Sequence, residues 1–195
     1  MFITRNGWLE KIFGQTPEGL YEGTRAITTQ SYNEANIKNG VQYYLGVSWP
    51  NADPIVNGTP RSVILSTSDT TVLVKTRIVS YIGEEFTVEL FEAPTFTGGT
   101  PIFVGNHNGR NPVPTTVTAI KDATITDPGT SFPGEPDYYF GGSTGNRESN
   151  SIPDGRERVL KQNTDYLVRI SSTSGNGRFY YYIDWYEGDT DLPLS

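Results

Sequence analysis

His107 is the only histidine among the 195 residues of the chain, and it lies in the segment Gly105-Asn-His-Asn-Gly109. A histidine-dependent triad would need a serine in a tight turn, and no such pattern stands beside this segment. A metal cluster would need further histidines or cysteines, and the chain has no cysteine. We therefore expect His107 to be a solvated loop residue.

Pairs of carboxylates are the other candidates for catalysis, because glycoside hydrolysis uses two acids that flank the scissile bond. Glu84 and Glu85 stand where a turn is predicted to lead into a strand, and Asp189 and Asp191 lie near the C-terminus. Solvation explains both pairs better than a catalytic cleft does. A glycosidase is therefore the third hypothesis, and we expect that the chain is not an enzyme.

Neither a cofactor nor a metal ion is expected. The glycine-rich residues 141–145 are not followed by the Lys-Ser or Lys-Thr of a phosphate-binding loop. Four aspartates lack the Asp-x-Asp-x-Asp-Gly spacing of a calcium loop, and the segments at 127–129 and 153–155 are typical of turns. These aspartates are Asp122, Asp127, Asp137 and Asp154.

The composition favours strands and turns over helices. The chain has 21 glycines, 13 prolines and only 19% charged residues, and its length suits one main core. The net charge of −7 disfavours nucleic acid as a partner, because the mean field of the surface repels phosphate. No segment has the pattern of a signal peptide or of a membrane span, so we expect a soluble protein made without export and no membrane partner.

Alternation of apolar and polar residues begins at residue 41 and predicts an antiparallel β-sandwich over residues 28–195. The connectivity can be of the jelly-roll or of the immunoglobulin-like type. Residues 175–177, Gly-Asn-Gly, are expected to join the last two strands as a hairpin, and residues 126–158 to form a long polar loop. Strong strands are predicted at 41–49, 62–67, 71–80, 85–92, 165–171 and 178–187, and weaker ones at 101–104, 115–120, 123–126 and 137–140.

The last predicted strand carries aromatic side chains on both faces. One face, which we expect to belong to the core, holds Phe179, Tyr181, Ile183 and Trp185. The other face holds Tyr180, Tyr182, Asp184 and Tyr186. Tyrosine combines a large apolar area with a hydroxyl, so the second face suits an interface between chains or a platform that stacks on sugars, unless loops or the N-terminal segment simply cover it. We select its three tyrosines as candidate interface residues.

Residues 1–27 form a different kind of segment, in which apolar side chains are scattered among glycines without alternation. We expect an extended N-terminal arm that buries these side chains against the sandwich or against another chain. The candidate interface residues of the arm are Trp8, Phe13 and Tyr21. Residues 8–13 suit a single helical turn, and residues 141–151 are the other candidate contact.

Several blocks of the sequence resemble the capsid decoration proteins, or cement proteins, of tailed bacteriophages. They lie at 88–100, 106–110, 138–142, 159–170 and 184–187. The strongest are Pro-Thr-Phe-Thr-Gly-Gly-Thr, which ends at Thr100, and Leu-Lys-Gln-Asn-Thr-Asp-Tyr-Leu-Val-Arg-Ile, which precedes the closing Asp-Trp-Tyr-Glu. The resemblance spans residues 85–187 and extends more weakly upstream to Thr28. At 106–110 the chain has Asn-His-Asn-Gly-Arg where the family carries a stretch like Asn-Arg-Asn-Arg, and residues 1–27 match nothing in the family.

The resemblance implies a structural protein on the outer surface of the mature phage head. Such a protein is a homotrimer that bridges major capsid subunits and stabilises the shell, because it binds the mature lattice in preference to other states. It is made in the host cytoplasm and belongs to the virion.

Related sandwiches also occur in head fibres, tails and baseplates, which gives a second hypothesis of a carbohydrate- or receptor-binding module. In that module the exposed tyrosines, with Trp49 or Trp185, would stack on sugar rings. Alanine at positions 180 and 182 separates the two hypotheses. The sugar hypothesis predicts lost adsorption with unchanged particle stability, and the decoration hypothesis predicts the reverse.

Overall fold

A computed structural model describes residues 32–83, 85–132, 137–140, 147–150 and 158–188. The predicted arm contacts at Trp8, Phe13 and Tyr21 lie outside these residues, as does the helical turn at 8–13. Within the described part of the chain no helix is long and apolar enough to cross a bilayer. The elements are α1 Tyr32–Lys38, β1 Gln42–Trp49, β2 Arg61–Ser66, β3 Val72–Ile82, β4 Glu85–Glu92, β5 Thr95–Thr97, β6 Thr100–Pro101, β7 Gly105–Asn106, β8 Thr118–Lys121, β9 Thr124–Asp127, β10 Thr130–Ser131, β11 Asp137–Phe140, β12 Arg147–Asn150, β13 Arg158–Leu160, β14 Asp165–Ser174 and β15 Arg178–Glu187.

Most of these strands form two antiparallel sheets. The first sheet has the order β12-β3-β15-β1-β7, with β13 also paired to β3. The second sheet has the order β10-β4-β14-β2-β8-β6, with β11 also paired to β4. Strands β5 and β9 form a separate two-stranded ribbon. The predicted β-sandwich is therefore confirmed.

The connectivity is that of a jelly roll. Strand β1 pairs with β15, β2 with β14, β3 with β12 and β13, and β4 with β11, always antiparallel. This pairing is that of one long antiparallel ribbon whose successive segments alternate between the two sheets, as in a double-sheet jelly roll. Of the two predicted types of connectivity, the immunoglobulin-like one is excluded by this strand order.

The core lies between the sheets, where alternate residues of each strand point inward. On β4, Phe86 and Val88 are fully buried against it, while Phe91 faces the other side of the second sheet. There Phe91 packs with Ile64 and Leu167 in a smaller cluster. The β5–β9 ribbon contributes side chains to that smaller cluster, so the second sheet is covered on both faces.

A β-bulge at Lys75 shifts the inward-facing positions of β3. Asp184 pairs with Thr76 and the next residue of β15, Trp185, pairs with Val74, so Lys75 is the extra residue. Val74 and Arg77 consequently face the same interior cavity of about 30 Å³ although they are three residues apart. The bulge is what directs a charged guanidinium into the core.

Two local predictions are wrong. The turn at 175–177 does join β14 to β15, but these strands lie in opposite sheets and do not pair, so it is an arch and not a hairpin. The segment 126–158 is not one long loop, because β10 and β12 lie within it in addition to β11, whose bounds match the strand predicted at 137–140. In both cases the reason is that the rolled ribbon pairs strands that are distant in sequence.

Candidate functional site

The predicted assignment of faces on β15 is confirmed for the core. Phe179, Tyr181, Ile183 and Trp185 are at most 4% exposed. Trp49 is also fully buried, so neither of the two tryptophans that the sugar hypothesis invoked is available to a ligand. The stacking role predicted for them is therefore wrong.

The opposite face of β15 divides into an accessible and a covered part. Tyr180 is 39% exposed and Tyr182 is half-buried, whereas Tyr186 is only 5% exposed. The Lys75 ammonium lies 5.4 Å from the centre of the Tyr186 ring. Tyr186 therefore does not offer the exposed surface that its predicted interface role requires. Neighbouring side chains such as Lys75 cover its ring, and strand alternation alone does not show such cover.

Strand register assembles a cluster on this outer face of the first sheet, which we call the tyrosine face and define as Tyr44, His107, Tyr180, Tyr182 and Asp184. On β1, Tyr44 stands opposite Asp184, and Gly46 opposite Tyr182. The rings of Tyr44 and Tyr182 are 6.1 Å apart and inclined by only 20°. The result is a pair of nearly parallel rings on neighbouring strands.

Two glycines let the tyrosine rings lean across the sheet. A Cβ atom at Gly105 would lie 2.3 Å from the Tyr44 ring, and one at Gly46 would lie 2.8 Å from the Tyr180 hydroxyl. Such distances are far below van der Waals contact, so any larger residue would push the rings away. Gly46 and Gly105 thus allow two tyrosines to lie over neighbouring strands.

A polar network adjoins the rings. The Gln42 amide donates to the two oxygens of Asp184 at 3.0 and 3.3 Å, and Nε2 of His107 lies 3.2 Å from Oδ2 of Asp184. The His107 ring is also 4.9 Å from the Tyr44 ring. His107 is an exposed loop residue, as predicted. Its side chain is 29% exposed and lies against Tyr44 and Asp184, which the sequence did not predict.

Burial is the main influence on the ionisation of this network. It raises the pKa of Asp184 above the usual value, although Gln42 and His107 act in the opposite direction. Burial, and after it the negative field of Asp184, raises the pKa of Tyr182 to about 12. Perturbed pKa values cluster at functional sites, and structural networks of charged groups produce them as well.

The tyrosine pKa values predict a loss of stability in alkali. Burial followed by Glu187 raises the pKa of Tyr43 to about 12, as for Tyr182, against an unfolded value of about 10. Between these values the unfolded chain has lost more protons than the folded one, so the free energy of unfolding falls as the pH rises. Urea unfolding at several pH values above about 9 measures the slope. Tyr182→Phe should make the slope shallower, and an unchanged slope would contradict this assignment.

A second surface lies beside the tyrosine face, at residues 102–117, which we call the Phe103 loop. Phe103 is 83% exposed and Val113 is 42% exposed. Together with Pro112 and Pro114 they border an open depression of about 480 Å³. Phe103 lies in the segment 101–104, which was predicted to be a weak strand, but β6 ends at Pro101 and the residues up to Val104 form no strand. The signal that the sequence offered for a surface contact was an aromatic residue followed by closely spaced prolines.

The Phe103 loop is rigidly tied to the domain despite its exposed side chains. The side-chain amide of Asn106 donates to the Gly40 carbonyl at 2.7 Å, and the backbone amide of Val113 donates to the same carbonyl at 3.2 Å. The Asn108 side chain donates to the Lys38 carbonyl at the end of α1 at 2.9 Å. An exposed apolar surface on a fixed backbone loses little entropy on binding.

Glu187 holds the other end of this loop. It is 4% exposed, and its carboxylate accepts from the Thr116 amide and hydroxyl at 2.8 Å each, from the Thr115 hydroxyl, and from Nε1 of Trp185 at 3.1 Å. Four donors therefore satisfy a buried carboxylate. Two residues of the closing Asp-Trp-Tyr-Glu block thus have distinct local roles, since Asp184 belongs to the tyrosine face and Glu187 anchors the Phe103 loop.

Two of the aspartates considered for metal binding have hydrogen-bond partners within the domain. Asp122 accepts from Nε1 of Trp49 at 3.1 Å, and Asp127 accepts from the Gly129 amide at 2.9 Å, which confirms the turn predicted there. Among the residues that the structure describes, no three histidine, aspartate or glutamate side chains are grouped to hold a metal ion. The following lie outside the described residues: Glu84, Asp154, Asp189, Asp191 and the contact segments 141–146 and 151.

Comparisons with known proteins give no relative. No protein-family model, no curated protein and no solved structure matches the chain.

Proposed function

We propose that the chain is a structural virion protein that decorates the outer surface of a tailed-phage head and stabilises the shell by bridging major capsid subunits. The observation that carries this proposal is the Phe103 loop, a hydrogen-bonded surface on which Phe103 is 83% exposed beside Val113. Contiguous exposed apolar side chains mark contact sites, and contacts between chains bury aromatic anchors of this kind. We assign the Phe103 loop to the contact between copies in a homotrimer.

The charge of the chain supports an exterior position. The formal net charge of −7 creates a field that disfavours attraction to packaged DNA. The sequence blocks that resemble decoration proteins support the same assignment, because the last of them supplies the anchor of the Phe103 loop at Glu187.

The energetic role follows from linkage. A protein that binds only the mature lattice stabilises it by about 2.7 kcal/mol per site when its free concentration is a hundred times its Kd. A trimer offers three such contacts at once, so its residence time on the shell exceeds that of one subunit. The shell then resists internal pressure better with the protein bound than without it.

The proposal is tested by placing a charged side chain in the proposed contact between copies of the chain. Phe103→Glu should convert a stable trimer at micromolar concentration to monomers in analytical ultracentrifugation, and should weaken binding to heads stripped of the protein by about a hundredfold or more. Val159 is 58% exposed on β13, which pairs with β3 at the edge of the first sheet opposite β7, so Val159→Glu is the matched control. It should leave both association and head binding unchanged.

Two outcomes would contradict the proposal. One is a wild-type chain that is monomeric at micromolar concentration, with no change on removal of residues 1–27. The other is equal behaviour of the two glutamate variants. Because Phe103 is almost fully exposed, thermal unfolding of its variant should stay close to wild type, which shows that any lost association is not lost folding.

A further inference from the structure

We propose that the tyrosine face is a binding platform for neutral saccharides, with hexopyranose rings stacked on Tyr44 and Tyr182 and their hydroxyls bonded to Asp184 and His107. The site shares His107 with the Phe103 loop but is centred on the neighbouring strands β1 and β15. Its existence does not depend on the association proposed above.

The aromatic part of the platform has the shape that sugar stacking requires. Tyr44 and Tyr182 are inclined by 20° with centres 6.1 Å apart, so two nearly parallel rings stand together on neighbouring strands. Tyr180 is 39% exposed and leans across β1 over Gly46. Tyrosine rings offer a large apolar contact with few rotatable bonds, which suits the C–H face of a pyranose.

The polar part of the platform lies at the Asp184 end. A carboxylate has about four lone-pair sites. Gln42 uses one site on each oxygen of Asp184, and His107 lies against Oδ2, so acceptor capacity remains on a side chain that is 14% exposed. A sugar hydroxyl can donate to that remaining site. Apolar rings flanked by a few fixed polar groups are the usual composition of a small-ligand site.

The charge of the site selects the class of sugar. Asp184 is the acid of the face, and the fields of His107 and Lys75 oppose its field only in part, since its pKa stays raised. A carboxylate or phosphate on the ligand would therefore be placed beside it at a Coulombic cost. The net charge of −7 adds to this repulsion. Neutral hexoses and N-acetylhexosamines avoid both costs, whereas sialylated and phosphorylated sugars do not.

The platform is preorganised. The backbone amide of His107 donates to the Gln42 carbonyl at 3.0 Å, so the two residues that flank Asp184 are joined through the backbone as well. Gly105 leaves room for the Tyr44 ring and Gly46 for the Tyr180 hydroxyl, so both side chains are held close to the neighbouring strand. Binding therefore loses little conformational entropy.

The experiment uses the full chain with tyrosine rings labelled for NMR. Cellohexaose and chitohexaose are the neutral probes, and sialyllactose is the anionic one. The neutral probes should shift the ring signals of Tyr44, Tyr180 and Tyr182 with a Kd between about 10 µM and about 1 mM, and sialyllactose should bind at least about tenfold more weakly. Absence of any shift with both neutral probes at about 10 mM overturns the proposal.

Three variants sharpen the test. Tyr182→Ala should weaken binding at least about tenfold. Tyr138 on β11 is 56% exposed, and Tyr138→Ala is the matched control that should bind as wild type does. Asp184→Asn keeps the side-chain shape and should remove most of the discrimination against sialyllactose.

Each result decides between a sugar site and a protein contact. Equal losses in Tyr182→Ala and Tyr138→Ala, or unchanged discrimination in Asp184→Asn, would overturn the saccharide site. Phe103→Glu should bind the neutral probes as wild type does, so failure of the association proposal is recognised separately. If Tyr182→Ala converts a trimer to monomers without any sugar binding in the wild type, the face is a contact between chains and the saccharide site is wrong.

Discussion

Trp185→Ala should lower the free energy of unfolding by about 4 kcal/mol, because it removes one of the largest fully buried side chains in the described core. Part of this loss is the cavity left between the sheets. The remainder arises at Glu187, which loses the Nε1 donor at 3.1 Å while staying buried. Urea unfolding followed by far-ultraviolet circular dichroism measures the change.

Two controls separate the volume of Trp185 from its N–H group. Trp185→Phe keeps much of the volume and loses the donor, so it should cost about 2 kcal/mol. Tyr180→Ala, on the same strand but 39% exposed, should cost less than about 1 kcal/mol. Trp185→Ala should also make the Phe103 loop more mobile, because Glu187 loses one of its donors. Faster hydrogen exchange of the Thr116 amide would show this. Equal losses for the alanine variants at 180 and 185 would contradict the assignment of faces on β15.

The buried ion pair between Arg77 and Asp137 should respond asymmetrically to mutation. The pair joins β3 of the first sheet to β11 of the second. The Arg77 side chain is 9% exposed, whereas the Asp137 side chain is 34% exposed. Asp137→Ala leaves the guanidinium charge in the core without this carboxylate and should cost about 3 to 5 kcal/mol. Arg77→Met leaves a carboxylate that can turn toward water and should cost clearly less.

The double variant Arg77→Met with Asp137→Ala completes the cycle. It should be more stable than Asp137→Ala alone, because the buried charge is gone and a flexible apolar side chain fills its place. Chemical denaturation of the four proteins gives the coupling energy directly. A double variant less stable than Asp137→Ala would show that the guanidinium contributes through contacts other than the ion pair.

Strand positions were predictable from the sequence because alternation is a local property. The segments predicted at 85–92 and 178–187 match β4 and β15 at both ends, and the inward face of β15 was also predicted. The bulge at Lys75 was not predictable, because it is defined only by the pairing of β3 with β15. The arch at 175–177 was mistaken for a hairpin for the same reason. Turn residues show that the chain reverses and do not show which sheet it enters.

The candidate sites were predictable only in part. The tyrosines of β15 were found because they repeat every second residue. The contributions of Tyr44 and His107 depend on register, which places the former opposite Asp184 and the loop of the latter beside β1. The cover over Tyr186 and the exposure of Phe103 are tertiary properties with no local pattern. Sequence periodicity therefore identified one strand of the tyrosine face and none of the Phe103 loop.

The rolled ribbon has a consequence for synthesis of the protein on the ribosome. Strand β15 lies in the middle of the first sheet, between β1 and β3, and Gln42 contacts Asp184 across 142 residues. A nascent chain that has not yet reached residue 187 has no central strand in this sheet, so β1 and β3 cannot be joined. Such distant pairing folds slowly and late. Prematurely terminated chains should consequently never acquire the tyrosine face, because its rings come from both β1 and β15.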